Sequence, residues 1–211
     1  MDFNDSQQEA AFRKEARDFL EANAEKRSII SDKPNDKNPQ IAVAGAPETV
    51  KGGKEAAQEA LERAKVWQKK KAEAGFAAIL WPKEFGGYGG SPIQQVIYSQ
   101  EEHDYLVPSG YFEIGIGMLG PTMMVWGKDE DKKRYLPKMI TGEEIWCQLF
   151  SEPSAGSDLA GIKMKAEKHG DEWVLNGQKV WTSGAHFADY GMIVARSDPS
   201  ALKHKGLTYF Y

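Results

Sequence analysis

WCQLFSEPSAGSDLAG, Trp146 to Gly161, is where the chain changes character. Its opening residues extend a run of strand formers from Ile145 to Phe150, which then gives way to a turn of Ser, Pro, Gly and small residues. Upstream of it apolar residues recur at helical spacing, and downstream come short strand-forming segments punctuated by turn residues. A helical region followed by a β region makes the fold class α+β.

Working back from this junction, residues 1–144 read as one all-α domain. Ser6-Gln7-Gln8-Glu9 has the form of a capping box, after which Phe12, Ala16, Phe19 and Leu20 recur on one helical face. Residues 28–53 are rich in Pro, Gly, Asn and Asp without either apolar period, which predicts a long loop or insertion. A second helix starts at Lys54, carries Ala57, Leu61 and Ala64 on one side, and stops at Gly75. The connector WPKEFGGYGGSP ends in Ser91, a candidate cap, and Pro92, suited to a first helical position. The helix it opens is expected to turn Ile93, Val96 and Ile97 inward, and further helical pattern runs through Met118 to Trp126 and Asp129 to Ile140.

Working forward, residues 145–211 read as a β domain. Strands are expected at Ile145 to Phe150, Lys163 to Lys168, Trp173 to Leu175, Gln178 to Ser183, Tyr190 to Ala195 and Leu207 to Tyr211, with Asn176-Gly177 as a hairpin turn. So few short strands leave an unclosed sheet with exposed edges, which predicts a truncated product.

The totals exclude several classes. With 41% hydrophobic and 27% charged residues in 211, the chain is an ordinary globular sequence. The 27 basic and 31 acidic residues give a net charge of -4, which favours no nucleic-acid partner, and Lys69-Lys70-Lys71 reads as a solvated helix face. The single cysteine, Cys147, excludes an internal disulfide and a cysteine-rich metal site and fits a reducing compartment. The acidic, polar start MDFNDSQQEAAFRKE matches neither a secretory signal nor an organelle presequence, and no apolar run nears the roughly 20 residues of a membrane span. A cytoplasmic location is expected.

Gly115-Ile116-Gly117-Met118-Leu119-Gly120 spells a dinucleotide-binding motif. The segment before it contains Pro108 and a Ser-Gly pair instead of a buried strand, and no strand-helix-strand repeat follows. The four histidines are scattered, without the three- or four-residue helical spacing of a shared metal, and no nucleophile elbow or P-loop occurs. The Ser151–Asp158 turn can present amides and hydroxyls to a flavin edge or a pyrophosphate, or can simply be a turn. On a strand Val180 to His186, Trp181 could lie against a flat ring with Ser183 on the same face; equally, Trp181 could be a core residue of the sheet.

Together these segments resemble the acyl-CoA dehydrogenase family. That family carries a T/S-E-P-x-A-G-S-D loop, here Ser151 to Asp158, and a K-x-W-[IT]-[TS] segment, here Lys179 to Ser183. Gly75-Phe76 with Trp81 to Gly87, and Leu119 to Glu143, look like its helical domain. The resemblance implies an amino-terminal helical domain, a middle antiparallel β-barrel that is incomplete here, and a carboxy-terminal helical bundle beyond Tyr211. FAD would be the cofactor, bordered by Gln148, Phe150 and Ser151, covered by Trp181 and bonded near N5 by Ser183, with Thr182 adjoining. Ser157 would reach the cofactor or the acyl-CoA. The implied reaction is α,β-dehydrogenation of an acyl-CoA thioester to a 2-enoyl-CoA, with a glutamate base from the carboxy-terminal bundle and electron-transfer flavoprotein as acceptor. None of Glu143, Glu144 or Glu152 matches the base, so this chain alone is expected to be inactive. Two other readings are a non-catalytic short subunit supporting a partner dehydrogenase and an acyl-CoA oxidase-like flavoenzyme; a homo- or hetero-oligomer is expected when the protein is complete.

Overall fold

The computed structural model describes residues 4–27 and 53–211. The expected insertion at 28–53 therefore lies outside the described residues, except that Gly53 opens a helix. The chain divides into two compact units, Met1–Glu144 and Ile145–Tyr211.

The first unit is helical. In α1, Gln7–Asn23, the Ser6 hydroxyl accepts from the Glu9 amide while the Glu9 carboxylate accepts from the Ser6 amide, so two orphan donors are satisfied reciprocally. The helix buries Phe12, Ala16 and Leu20. A two-residue strand β1, Glu25–Lys26, pairs antiparallel with β2, Tyr105–Leu106. The second helix, α2, runs Gly53–Glu73 and buries Leu61, Ala64, Trp67 and Gln68. Buried Gln68 donates to the Ile140 carbonyl at 2.9 Å, tying α2 to a later helix. In α3, Pro92–His103, Ser91 and Gln94 form a second capping box behind Pro92.

The inward face of α3 differs from expectation. Ile97 is buried together with Tyr98 and Glu101, but Ile93 and Val96 are exposed. The 97–98–101 side meets α1 through both apolar packing and charge: Ile97 and Tyr98 join Phe12 and Ala16, and Glu101 accepts from Arg13 and Arg17 at 2.9–3.0 Å. Phe12, Ala16, Phe76, Ile79, Ile97 and Tyr98 fill the core between them.

Gly115–Leu119 form a π-helical turn that runs into α4, Gly120–Trp126, and α5 follows at Asp129–Thr141. The GIGMLG stretch is thus helical, with no phosphate-cradling strand-to-helix turn. The buried Trp81 indole donates to the Ile116 carbonyl at 2.8 Å and packs where Gly120 lacks a side chain.

The second unit is built on one five-stranded sheet: β3, Trp146–Leu149; β4, Lys165–His169; β5, Glu172–Asn176; β6, Tyr190–Arg196; and β7, Leu207–Phe210. The α+β class stands. Pairing is antiparallel for β4–β5 and β6–β7 but parallel for β3–β6 and β4–β6, because these strands are joined by long crossovers instead of hairpins.

Two expectations within this unit need correction. The hairpin turn is Gly170-Asp171, not Asn176-Gly177: Gly170 supplies the φ of 63° that the two-residue turn demands, whereas Gly177 at 158° is nearly extended. Residues 178–183 form no strand, since Trp181 has φ 58°, outside any β conformation.

Candidate flavin-side site of the second unit

The strand β3 emerges from a polar anchor. The Asp189 carboxylate accepts from the Ile145 amide at 2.8 Å and the Asp189 amide returns a bond to the Ile145 carbonyl. Beyond Leu149 the chain leaves the sheet, with Gln148, Phe150 and Ser151 half-buried. Glu152-Pro153-Ser154-Ala155 then closes a tight turn, in which Glu152 and Ala155 exchange backbone bonds of 2.7 and 3.1 Å. Proline at the second turn position presets the φ that such a turn requires. Ser157 follows in the open: it is exposed, and nothing lies within 4 Å of where a side chain on Gly156 would begin.

The 179–183 segment is tied to this loop by a buried cation. Lys179 Nζ donates to the Phe150 carbonyl at 3.0 Å, to Glu152 Oε1 at 2.9 Å and to the Val194 carbonyl of β6 at 2.8 Å. Both charged side chains are about nineteen-twentieths shielded, at 5% and 6% exposure, so the three acceptors are what make burial of the ammonium tolerable. One residue on, the Val180 amide donates to the Ser151 carbonyl at 2.9 Å.

Glu152 is heavily engaged. Its two oxygens accept the Lys163 amide at 2.6 Å, the Met164 amide at 3.0 Å and the Lys179 ammonium. Burial pushes its pKa up, but the bonds from Lys163, Lys179 and Met164 outweigh burial and hold the carboxyl below the ordinary range. A carboxylate so engaged is a structural anion. A further brace comes from Arg196, whose guanidinium donates to the carbonyls of Ala160, Ile162 and Lys203 at 2.8–3.1 Å.

Trp181 projects from this anchored base. The residue is 91% exposed and its backbone is left-handed, an unusual state for a bulky residue. Thr182 is half-buried and Ser183 exposed, within turns where Thr182 and Gly184 carbonyls accept amides from Ala185, Phe187 and Ala188. The strand geometry that would have set Trp181 and Ser183 on one face is therefore absent. The sequence singled out both segments but not the Lys179–Glu152 pair that joins them; the available signal was a lone lysine leading the otherwise uncharged Val-Trp-Thr-Ser run.

For FAD the fit is tested by what the fold leaves open. A large ring left in solvent on a strained backbone, beside a loop with an unfilled glycine and free hydroxyl positions, suits a planar ligand carrying polar edges. Elsewhere in the chain, no group of three His, Cys, Asp or Glu among the described residues is placed to hold a metal ion. Among the described residues, no helix is long and apolar enough to cross a membrane.

Comparison with known proteins agrees with this architecture. Residues 6–143 match the acyl-CoA dehydrogenase N-terminal domain and residues 147–211 the acyl-CoA dehydrogenase middle domain. The chain is 40% identical over 158 residues to the acyl-CoA dehydrogenase IpdE1 of Mycobacterium tuberculosis, an alignment covering 75% of this chain and 41% of that protein. Among solved structures, the Tcur3481-Tcur3483 steroid acyl-CoA dehydrogenase superposes with a TM-score of 0.74 at 31% identity, covering 99% of this chain and 48% of that one. The ChsE4-ChsE5 complex from Mycobacterium tuberculosis gives 0.69 at 31% identity, over 99% of this chain and 47% of that one. The chain thus spans less than half the length of each of these relatives. With both of its units matched in order by the family's own domains, the chain belongs to the acyl-CoA dehydrogenase family.

Proposed function

We propose that these 211 residues are the flavin-holding portion of an FAD-dependent acyl-CoA dehydrogenase acting on a CoA thioester. The observation that supports this most strongly is the left-handed, solvent-exposed Trp181 set on a base shared with the Ser151–Asp158 loop. When bound, FAD supplies the acceptor for the hydride leaving the β-carbon of the acyl chain. Trp181 would pack against the ring and exclude water from it. Gln148, Phe150, Ser151, Thr182 and the hydroxyl of Ser183 would be the polar and apolar groups that hold the ring. Ser157 reaches toward cofactor or thioester. Removal of the α-proton needs an accessible base, and Glu152 is ill suited to it, being buried and held as an anion by Lys163, Met164 and Lys179. Glu152 is thus not assigned as the base, and an electron-transfer flavoprotein would be the electron acceptor.

A second reading is favoured by the relatives themselves. One of the structural matches is a ChsE4-ChsE5 complex, and another carries the paired name Tcur3481-Tcur3483. In that reading the chain is one partner of a heteromeric dehydrogenase and contributes its half of a shared cofactor site.

The test is FAD titration of the purified protein, followed by flavin fluorescence. Binding in the wild type, weakened about tenfold in Trp181→Ala by loss of ring stacking, is expected. A folded wild type that leaves FAD unbound, or a Trp181→Ala variant binding it equally well, overturns the proposal. Acyl-CoA oxidation with an artificial electron acceptor tests the missing base: robust turnover by the chain alone would show that the base lies within it. Co-purification with a second dehydrogenase chain in fixed stoichiometry separates the heteromeric reading from the first.

A further inference from the structure

We propose that Lys179 is a positioning residue for the flavin, its buried ammonium gathering Phe150, Glu152 and β6 so that Trp181, two residues away, is held in its left-handed conformation with the indole projecting outward. This rests on the flavin reading given above and adds a component to it. Three observations carry it. The ammonium reaches three acceptors on two separate pieces of chain, the Phe150 carbonyl and Glu152 carboxylate of one loop and the Val194 carbonyl of β6, so it fixes their mutual placement. The Val180 amide adds a direct backbone tie to Ser151, leaving Trp181 as the first residue beyond a doubly held step. Trp181 itself takes φ 58° with 91% of its surface exposed, so its own packing does not select that conformation. On the far side, Gly184 at φ 77° and the Thr182–Ala185 turn reverse the chain. What remains to hold the indole in place is the anchored base before it.

The discriminating experiment is a thermodynamic cycle on FAD affinity in the full chain. It compares wild type, Trp181→Ala, the charge-neutral pair Lys179→Met/Glu152→Gln, and the three changes combined. Removing both charges together avoids leaving one buried and unpaired. Each of the first two variants is expected to weaken FAD binding about tenfold, and the combination to weaken it by about the same tenfold, since Lys179 acts through Trp181. A merely structural lysine would instead give multiplied losses, about a hundredfold in the combination, and that result overturns the proposal. Unchanged affinity in the folded neutral pair overturns it as well. Should the neutral pair not fold, Glu152→Gln alone, which keeps the two carbonyl acceptors of Lys179, must show the same failure to multiply with Trp181→Ala. Absence of FAD binding by folded wild type removes the flavin reading and this inference together; wild-type binding with multiplied losses removes only this inference.

Discussion

Replacing Gly120 by alanine sets local propensity directly against packing. Gly120 opens α4 with ordinary helical geometry, so propensity alone favours alanine by about 1 kcal/mol. The tertiary structure argues the reverse. An added Cβ would stand 1.9 Å from Trp81 Cζ2 and 2.3 Å from Cη2. Carbon atoms sit comfortably at about 3.5–4.0 Å, so the ring would have to retreat by roughly 1.5 Å. Trp81 is only 2% exposed and its indole nitrogen donates to the Ile116 carbonyl at 2.8 Å, so retreat strains neighbours and stretches that bond. Overpacking of this kind costs about 1–3 kcal/mol and the hydrogen bond about 1 more, which together exceed the propensity gain and leave a net loss of about 1–3 kcal/mol. Urea unfolding should show a lower midpoint with an unchanged slope. In a Trp81→Phe background, where the benzo ring is gone, the same glycine change should be close to neutral or stabilising. A Gly120→Ala protein as stable as wild type would refute the packing argument.

Further outcomes follow from the same physics. Lys179→Met alone leaves the Glu152 carboxylate buried beside two amides without its cation, and about 3–5 kcal/mol of stability should be lost, measured by chemical denaturation. Trp181→Gly should leave thermal stability unchanged or raise it by about 1 kcal/mol, because glycine accepts the positive φ and the indole buries little, while FAD binding weakens. The bonds from Arg17 and Arg13 to Glu101, and from Lys163, Lys179 and Met164 to Glu152, hold both carboxyls below the ordinary glutamate value. Their stabilisation is therefore fully present above that value and drains away as pH falls through the lower folded values; an acid titration should show the loss, and Glu152→Gln should flatten it. Ser6→Ala should cost about 1 kcal/mol by opening the capping box on α1, readable as a fall in the thermal midpoint.

Much of the helical half was legible residue by residue. Ser6 with Glu9, and Ser91 with Pro92, mark helix starts because capping is chemistry between neighbours in sequence. The buried face of α1 was legible for a related reason: Phe12, Ala16 and Leu20 share a side by helical period alone. Ile93 and Val96 lie outside the buried face because period admits two adjacent faces of α3, and the choice between them depends on α1, distant in sequence, whose Phe12 and Ala16 pack with Ile97 and Tyr98 and whose Arg13 and Arg17 pair with Glu101. Asn176-Gly177 failed as a hairpin for a similar reason, since Gly170-Asp171 supplied an equally short turn with the required φ between strands in register.

At the candidate site the sequence by itself determined membership: the Ser151–Asp158 and Lys179–Ser183 patterns identify the family, because motifs are local in the chain. Only the tertiary structure decided what those residues do to one another. It made Glu152 a structural anion, turned a presumed strand at 178–183 into an anchored loop, and left Trp181 in solvent at φ 58°. The physical reason is the solvation of one ammonium group. Once Lys179 is buried it must find acceptors, and those lie 15, 27 and 29 residues away along the chain, at Val194, Glu152 and Phe150.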